Sequence, residues 1–233
     1  MKLSKFVSRF FFPKKCSVCG QIVEITKERC SCCGSEQVIL SNNSCVHCGY
    51  EAAKCVCESE NSNHFSHVAA VYIYSGIIRQ QICAFKFENE RQLAKKFAYD
   101  MSERIAAVFS QAEFDLVSFV PSSKETLRQR GYNQSELLAK EIANNFFLPC
   151  CDVLKKIKET SYQHTLNAQQ RKVNLKGSII CDGDVKDKTV LLCDDIKTTG
   201  VTLNECVNAL TDMGAKDVYC ICIALSDYKE DIF

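Results

Sequence analysis

Residues 190–202 read Val-Leu-Leu-Cys-Asp-Asp-Ile-Lys-Thr-Thr-Gly-Val-Thr. An apolar strand here delivers two adjacent carboxylates to its end, and a Thr/Gly turn follows and opens a helix. The first amides of such a helix have no acceptor within it, and they can cradle a phosphate. Asp194 and Asp195 are placed to accept hydrogen bonds from a ribose diol, while Thr198, Thr199, Gly200, Val201 and Thr202 would wrap a 5′-phosphate. A nucleotide P-loop is the competing explanation for paired carboxylates at a strand end, but the chain contains no G-x-x-x-x-G-K-[ST] sequence.

Cysteine supplies the second chemical signal. The chain has 17, and nine of them fall between Cys16 and Cys57. Eight of these nine form close pairs, Cys16/Cys19, Cys30/Cys33, Cys45/Cys48 and Cys55/Cys57, with Gly20, Gly34 and Gly49 directly after the first three. A C-x-x-C turn sets two thiolates one tetrahedral edge apart, and the glycine relieves the turn. Eight such ligands predict two structural zinc ions. The simplest assignment takes Cys16, Cys19, Cys30 and Cys33, then Cys45, Cys48, Cys55 and Cys57, with interleaved pairing left open. Cys32 and His47 are expected not to be ligands. The remaining cysteines, Cys83, Cys150, Cys151, Cys181, Cys193, Cys206, Cys220 and Cys222, read as small buried hydrophobes, and Cys193 is not expected to be a nucleophile.

The elements that must position these groups follow from the apolar pattern. After a polar link near 58–67, residues 67–75 read as a strand, 78–87 as a short helix and 90–109 as a longer amphipathic helix. A strand at 115–121, a helix at 133–147, a strand near Asp152, a strand at 189–196, a helix at 201–213 stopped by Gly214 and a strand at 218–226 complete the series. Alternating strands and helices predict an α/β fold with a parallel sheet and helices on both faces, preceded by a small zinc-ribbon module. The expected division is 1–60 for a basic tail and double ribbon and 65–233 for the body. In such sheets the ligand lies beyond the carboxyl ends of the strands.

Composition narrows the partners. There are 29 Lys and Arg against 28 Asp and Glu among 233 residues, a formal net charge of +1. Any nucleic-acid contact must therefore be a local patch. Residues 16–60 carry three basic side chains against six Glu, so the ribbon itself would repel a phosphate backbone. No window is long and apolar enough for a membrane-spanning helix, and no cleavable signal is evident, so a reducing cytoplasm is expected. The basic, Phe-rich opening is expected to pack on the body, with a membrane-surface helix as the alternative.

The 190–202 segment resembles the phosphoribosyl pyrophosphate signature of type I phosphoribosyltransferases, and the chain more narrowly resembles the ComF family, which includes the GntX-like proteins. The narrower resemblance rests on Val120-Pro121, on Arg128-x-Arg130-Gly-Tyr-Asn-Gln134, on Thr160-x-x-Gln163-x-x-Leu166 with Arg171-x-x-Asn174, and on the preceding cysteine pairs. It implies that Ser122, Ser123 and Lys124 hold a pyrophosphate, with Arg128 and Arg130 as nearby charge. It also implies that Gln163, Arg171 and Asn174 lie on a loop that closes over it, in a basic stretch from Lys155 to Lys176. Asp194, Asp195, Lys124 and Arg130 would then be the catalytic candidates, acting on phosphoribosyl pyrophosphate chelated by Mg2+. Several purine-salvage relatives place Asp before the T-G turn, where this chain has Thr198, so the acceptor is not indicated. The resemblance further implies a role in DNA uptake during natural transformation alongside competence or recombination proteins. A non-catalytic alternative uses the same fold to sense a ligand or to hold single-stranded DNA, with Lys155, Lys156, Lys158, Tyr162, Arg171, Lys172 and the basic tail as contacts.

Overall fold

Strands that alternate small or branched apolar side chains on both faces can only be buried between two layers of helices. That is the arrangement in the computed structural model, which describes residues 22–24, 26, 39–55, 57, 67–157 and 177–226. Among the described residues six strands run in chain order: β1 (His67–Ile73), β2 (Leu116–Phe119), β3 (Leu154–Lys156), β4 (Ile179–Cys181), β5 (Thr189–Lys197) and β6 (Asp217–Leu225). Five α-helices accompany them among the same residues: α1 (Gly76–Phe87), α2 (Leu93–Val108), α3 (Lys124–Arg130), α4 (Gln134–Phe146) and α5 (Val201–Asp212).

The main sheet has the order β1-β6-β5-β2, and all of its pairs are parallel. Alternation along the strands divides the core in two. Ala69, Val71, Val117, Leu191, Cys193, Ile221 and Ile223 face a layer that contains Phe85 of α1, Phe97 and Met101 of α2 and Leu138 and Ile142 of α4. Val68, Ala70, Val190, Leu192, Cys220 and Cys222 face the opposite layer, with Leu203, Cys206, Val207 and Leu210 of α5. The expected parallel α/β sheet covered on both faces is thus observed. Cys181, Cys193, Cys206, Cys220 and Cys222 are buried, as expected of small hydrophobes, whereas Cys83, Cys150 and Cys151 are only half-buried.

Two features were not expected from the sequence. A second sheet pairs β3 with β4 in antiparallel fashion, and α3 is a short helix with no buried residue. Both edges of the main sheet are covered, which removes open templates for strand pairing. Along β1, the Leu40 N–H donates to the Val71 carbonyl (2.9 Å), and Ile39 bridges Tyr72. Along β2, Val117 exchanges hydrogen bonds with Pro149 and Cys151 (2.9 Å each). Among the described residues no helix is long and apolar enough to cross a membrane.

Candidate functional site

The carboxyl ends of neighbouring β2 and β5 bring the two predicted loops side by side. Phe119 is paired with Cys193, and the Val120 N–H donates to the Cys193 carbonyl (3.0 Å), so Pro121 to Ser123 leave the sheet next to Asp194. The Ser123 hydroxyl accepts from the Thr126 N–H (3.0 Å) and caps α3. Lys124 and Arg128 are exposed on that helix. Arg130 lies 4.8 Å from the centre of the Phe87 ring and donates to Gln134 Oε1 (3.1 Å).

Asp194 Oδ1 accepts two hydrogen bonds, from the Ser135 hydroxyl (2.9 Å) and from the Asp195 N–H (2.8 Å). Lys86 Nζ, from the last turn of α1, forms an ion pair with Asp195 Oδ1 at 2.9 Å, and both side chains are largely buried. Burial, and then the neighbouring Asp195 charge, push the Asp194 carboxyl up to about 7, against the downward pull of the Asp195 amide, Ser135 and Lys86. The pair is therefore held in place but only partly neutralised, which suits groups that accept hydrogen bonds from an incoming diol.

The residues of the Arg-Gly-Tyr-Asn-Gln segment explain this order. Gly131 ends α3 in the left-handed region (φ 77°), which a side chain rarely adopts. The Tyr132 hydroxyl donates to the Phe85 carbonyl, one residue before Lys86. Asn133 Nδ2 donates to the Val120 carbonyl (2.9 Å), while its Oδ1 accepts from the Ser135 N–H (3.1 Å) and caps α4. One short segment thereby ties the end of β2, the Lys86 turn and the hydroxyl that holds Asp194.

Beyond the carboxylates, Thr198 is exposed, Thr199 and Thr202 are half-buried, and Gly200 and Val201 are buried. Gly200 is the N-cap of α5 in the left-handed region (φ 77°), and no side chain caps this helix. Its first-turn amides, those of Val201, Thr202 and Leu203, have no intrahelical acceptor by construction. Gly200 leaves room for an anion to approach them.

Sequence reasoning missed Lys86 and Ser135. Ser135 directly follows the Arg130–Gln134 segment, so its position was a usable signal. Lys86 offered only that it is the single cation in the last turn of its helix. Cys193 is fully buried, and burial raises its thiol well above the ordinary range, consistent with no nucleophilic role.

A second cluster lies at Cys45, Cys48, Cys55 and Cys57, whose ligand atoms all fall within 4.8 Å of one another. The Cys45–Cys57 and Cys48–Cys55 sulfur separations are each 3.8 Å. A zinc–sulfur bond of about 2.3 Å in tetrahedral geometry gives an edge of about 3.8 Å, so the donor set fits Zn2+. Burial pushes the Cys48 thiol up to about 11. Burial and the three other thiols also raise Cys57. Cys45, whose burial acts in the same upward direction, is drawn down to about 7 by the backbone amides of Cys48 and His47. Four thiols at this spacing resist ionising together without a cation, and a bound dication reverses that preference. His47 is exposed and outside the cluster. Cys16, Cys19, Cys30 and Cys33, like Gln163, Arg171 and Asn174, lie outside the described residues.

The phosphoribosyl transferase domain family matches residues 133–231. Competence protein F of Haemophilus influenzae is 27% identical over 219 residues, which cover 89% of this chain and 95% of that protein. Competence protein ComFC of Streptococcus pneumoniae is 27% identical over 222 residues, 88% of this chain and 96% of that one. The DNA utilization protein YhgH of Escherichia coli K12 is 25% identical over 218 residues, 90% of each chain. Among solved structures, a purine phosphoribosyltransferase from Pyrococcus horikoshii has 17% identity and a TM-score of 0.35, covering 57% of this chain and 73% of its own.

Proposed function

We propose, from the premise that this chain is a ComF-type protein with a phosphoribosyltransferase-like body, that the loops leaving the ends of β2 and β5 bind phosphoribosyl pyrophosphate. The observation that carries this reading is the half-buried Asp194/Asp195 pair, held by Ser135 and Lys86 shortly before the uncapped start of α5. In this reading the carboxylates accept the ribose hydroxyls, and the turn from Thr198 to Thr202 takes the 5′-phosphate. Ser122, Ser123 and Lys124 face the pyrophosphate through backbone amides and the exposed Lys124 ammonium, with Arg130 as added charge. Mg2+ would arrive on the pyrophosphate and offset its charge. Gln163, Arg171 and Asn174 belong to this proposal on the strength of the family resemblance alone.

Transfer of the phosphoribosyl group to an acceptor is the corresponding reaction class. The relatives' names carry competence and DNA utilization, and we place this chain's role in the handling of incoming DNA. Calorimetric titration of phosphoribosyl pyrophosphate with Mg2+ tests the reading. Saturable binding with one site per chain is expected, and the absence of heat at millimolar ligand would reject it.

Lys86 gives a sharper expectation. Replacing it by Met keeps the apolar stem but strips Asp195 of its counter-charge beside Asp194. Since hydrogen bonds to charged groups contribute about 1.5–3 kcal/mol, donor affinity should fall about tenfold or more in the same titration. An unchanged affinity would assign Lys86 to packing alone.

A further inference from the structure

The four-cysteine knuckle packs on the main sheet against the start of β1 and the last residue of β6, the strand paired with the one from which the phosphate loop departs. Gly49 follows the ligand Cys48 with φ 82°, and a Cβ placed there would lie 3.2 Å from Val68 Cγ1 and 3.4 Å from Leu225 Cδ1. The Val68 N–H donates to the Val46 carbonyl (2.6 Å). Leu225 is paired in register with Lys197, the last residue of β5 before the Thr198–Gly200 turn.

Tyr50, two residues after Cys48, closes the connection. It is 6% exposed, its hydroxyl donates to the Ser226 carbonyl (3.0 Å), and the Ser226 N–H donates to the Lys197 carbonyl (2.9 Å). Lys197 is itself only 6% exposed, and its Nζ lies 4.9 Å from the centre of the Tyr50 ring. A buried ammonium is expensive unless something replaces its water, and an aromatic face does so in part. Tyr50 is in turn ordered by the knuckle: the Cys45 N–H donates to the Tyr50 carbonyl (2.7 Å), and the Gly49 N–H to the Cys45 carbonyl (2.8 Å). Among the described residues of 39–57 the only helical turn is the three-residue Ala52–Lys54, so the four sulfurs are a natural source of rigidity for the part from Cys45 onward.

We propose that Tyr50 is a positioning residue for the sugar-phosphate loop: the metal-bound knuckle fixes its ring on Lys197, and this clamp sets the geometry of residues 197–202. The consequence for affinity rests on the sugar-phosphate reading of that loop. The clamp itself does not.

The test combines hydrogen exchange with ligand titration on the full chain. Zinc chelation should speed amide exchange at 197–202 about tenfold while α4 keeps its protection. Tyr50→Ala, with zinc content confirmed as retained, should do the same and weaken phosphoribosyl pyrophosphate about tenfold. Tyr50→Phe keeps the aromatic face and should recover most of the loss. Because the two side chains meet in the ring–ammonium contact, the effects of Tyr50→Ala and Lys197→Met on exchange and on affinity should be less than additive in the double variant. Unchanged exchange at 197–202 after chelation, a parallel loss of protection in α4, or simple additivity would each overturn the clamp. Altered loop exchange in a protein that binds no phosphoribosyl pyrophosphate would uphold the clamp and reject the donor reading instead.

Discussion

The Asp194→Asn/Asp195→Asn double variant is expected to lose phosphoribosyl pyrophosphate by a factor of about 100 or more, since two charged acceptors of hydrogen bonds are removed at once. Titration calorimetry reads this directly, and retention of binding would show that the ligand sits elsewhere. The single Asp194→Asn change should separate binding from stability. Its carboxyl is pushed up to about 7 in the folded chain, first by burial and then by Asp195, whereas an unfolded Asp titrates near 4. A raised folded value means that the folded state holds the proton more tightly. The associated stability is therefore present below about pH 4 and lost as pH rises through 7. Asparagine cannot ionise, and its Oδ1 can still accept from Ser135 and from the Asp195 N–H. The ligand-free variant should consequently melt roughly 5 °C above the parent protein at pH 8, with the gap narrowing as pH falls and nearly closed at about pH 4. Equal melting temperatures at both values would mean that Asp194 is well solvated. A carboxylate kept where it costs stability and is needed for binding is the expected signature of a functional site.

Much of this was legible in the sequence because the informative signals were local. The runs at 68–73, 190–193 and 218–225 are continuous in apolar residues, as strands buried on both faces must be, and the Asp-Asp-x-x-Thr-Thr-Gly order states strand end, turn and helix start in succession. What escaped had no such signature. Helix α3 contains no buried residue, so it left no apolar period to detect. Strand β4 is three residues long and pairs with β3 outside the main sheet. Lys86 meets Asp195, and Tyr50 meets Lys197, only because the fold closes long stretches of chain. The Arg130–Gln134 segment was legible as a motif, but its work was not: Tyr132 and Asn133 make backbone contacts that order the site, and its one charge, Arg130, meets Gln134 and the Phe87 ring.

Arg104 should be the costliest side chain to remove outside the site. It lies on α2, 5% exposed, and donates to the Leu40 carbonyl (3.2 Å), the Asn42 side-chain oxygen (2.7 Å), the Ser41 carbonyl (2.8 Å) and the Ser44 hydroxyl (2.7 Å). Every one of these acceptors is neutral, so the guanidinium is a buried charge solvated by the 40–44 segment in place of water. Burial lowers its proton affinity without discharging it. Leu40 in turn sits on the β1 edge, and Ser44 bridges Glu51 beside the cysteine cluster. Arg104→Ala would leave two carbonyls and two side chains without their donor and open a cavity on α2, at a cost of about 3 kcal/mol or more. Arg104→Lys should recover little, because one ammonium cannot reach four acceptors spread along two edges of a planar fork. The expected observation is a lower denaturant midpoint for both variants, accompanied by faster zinc loss to a chelator, since the same segment carries the knuckle. Lower stability with unchanged zinc release would confine Arg104 to the core and detach the 40–44 segment from the integrity of the metal site.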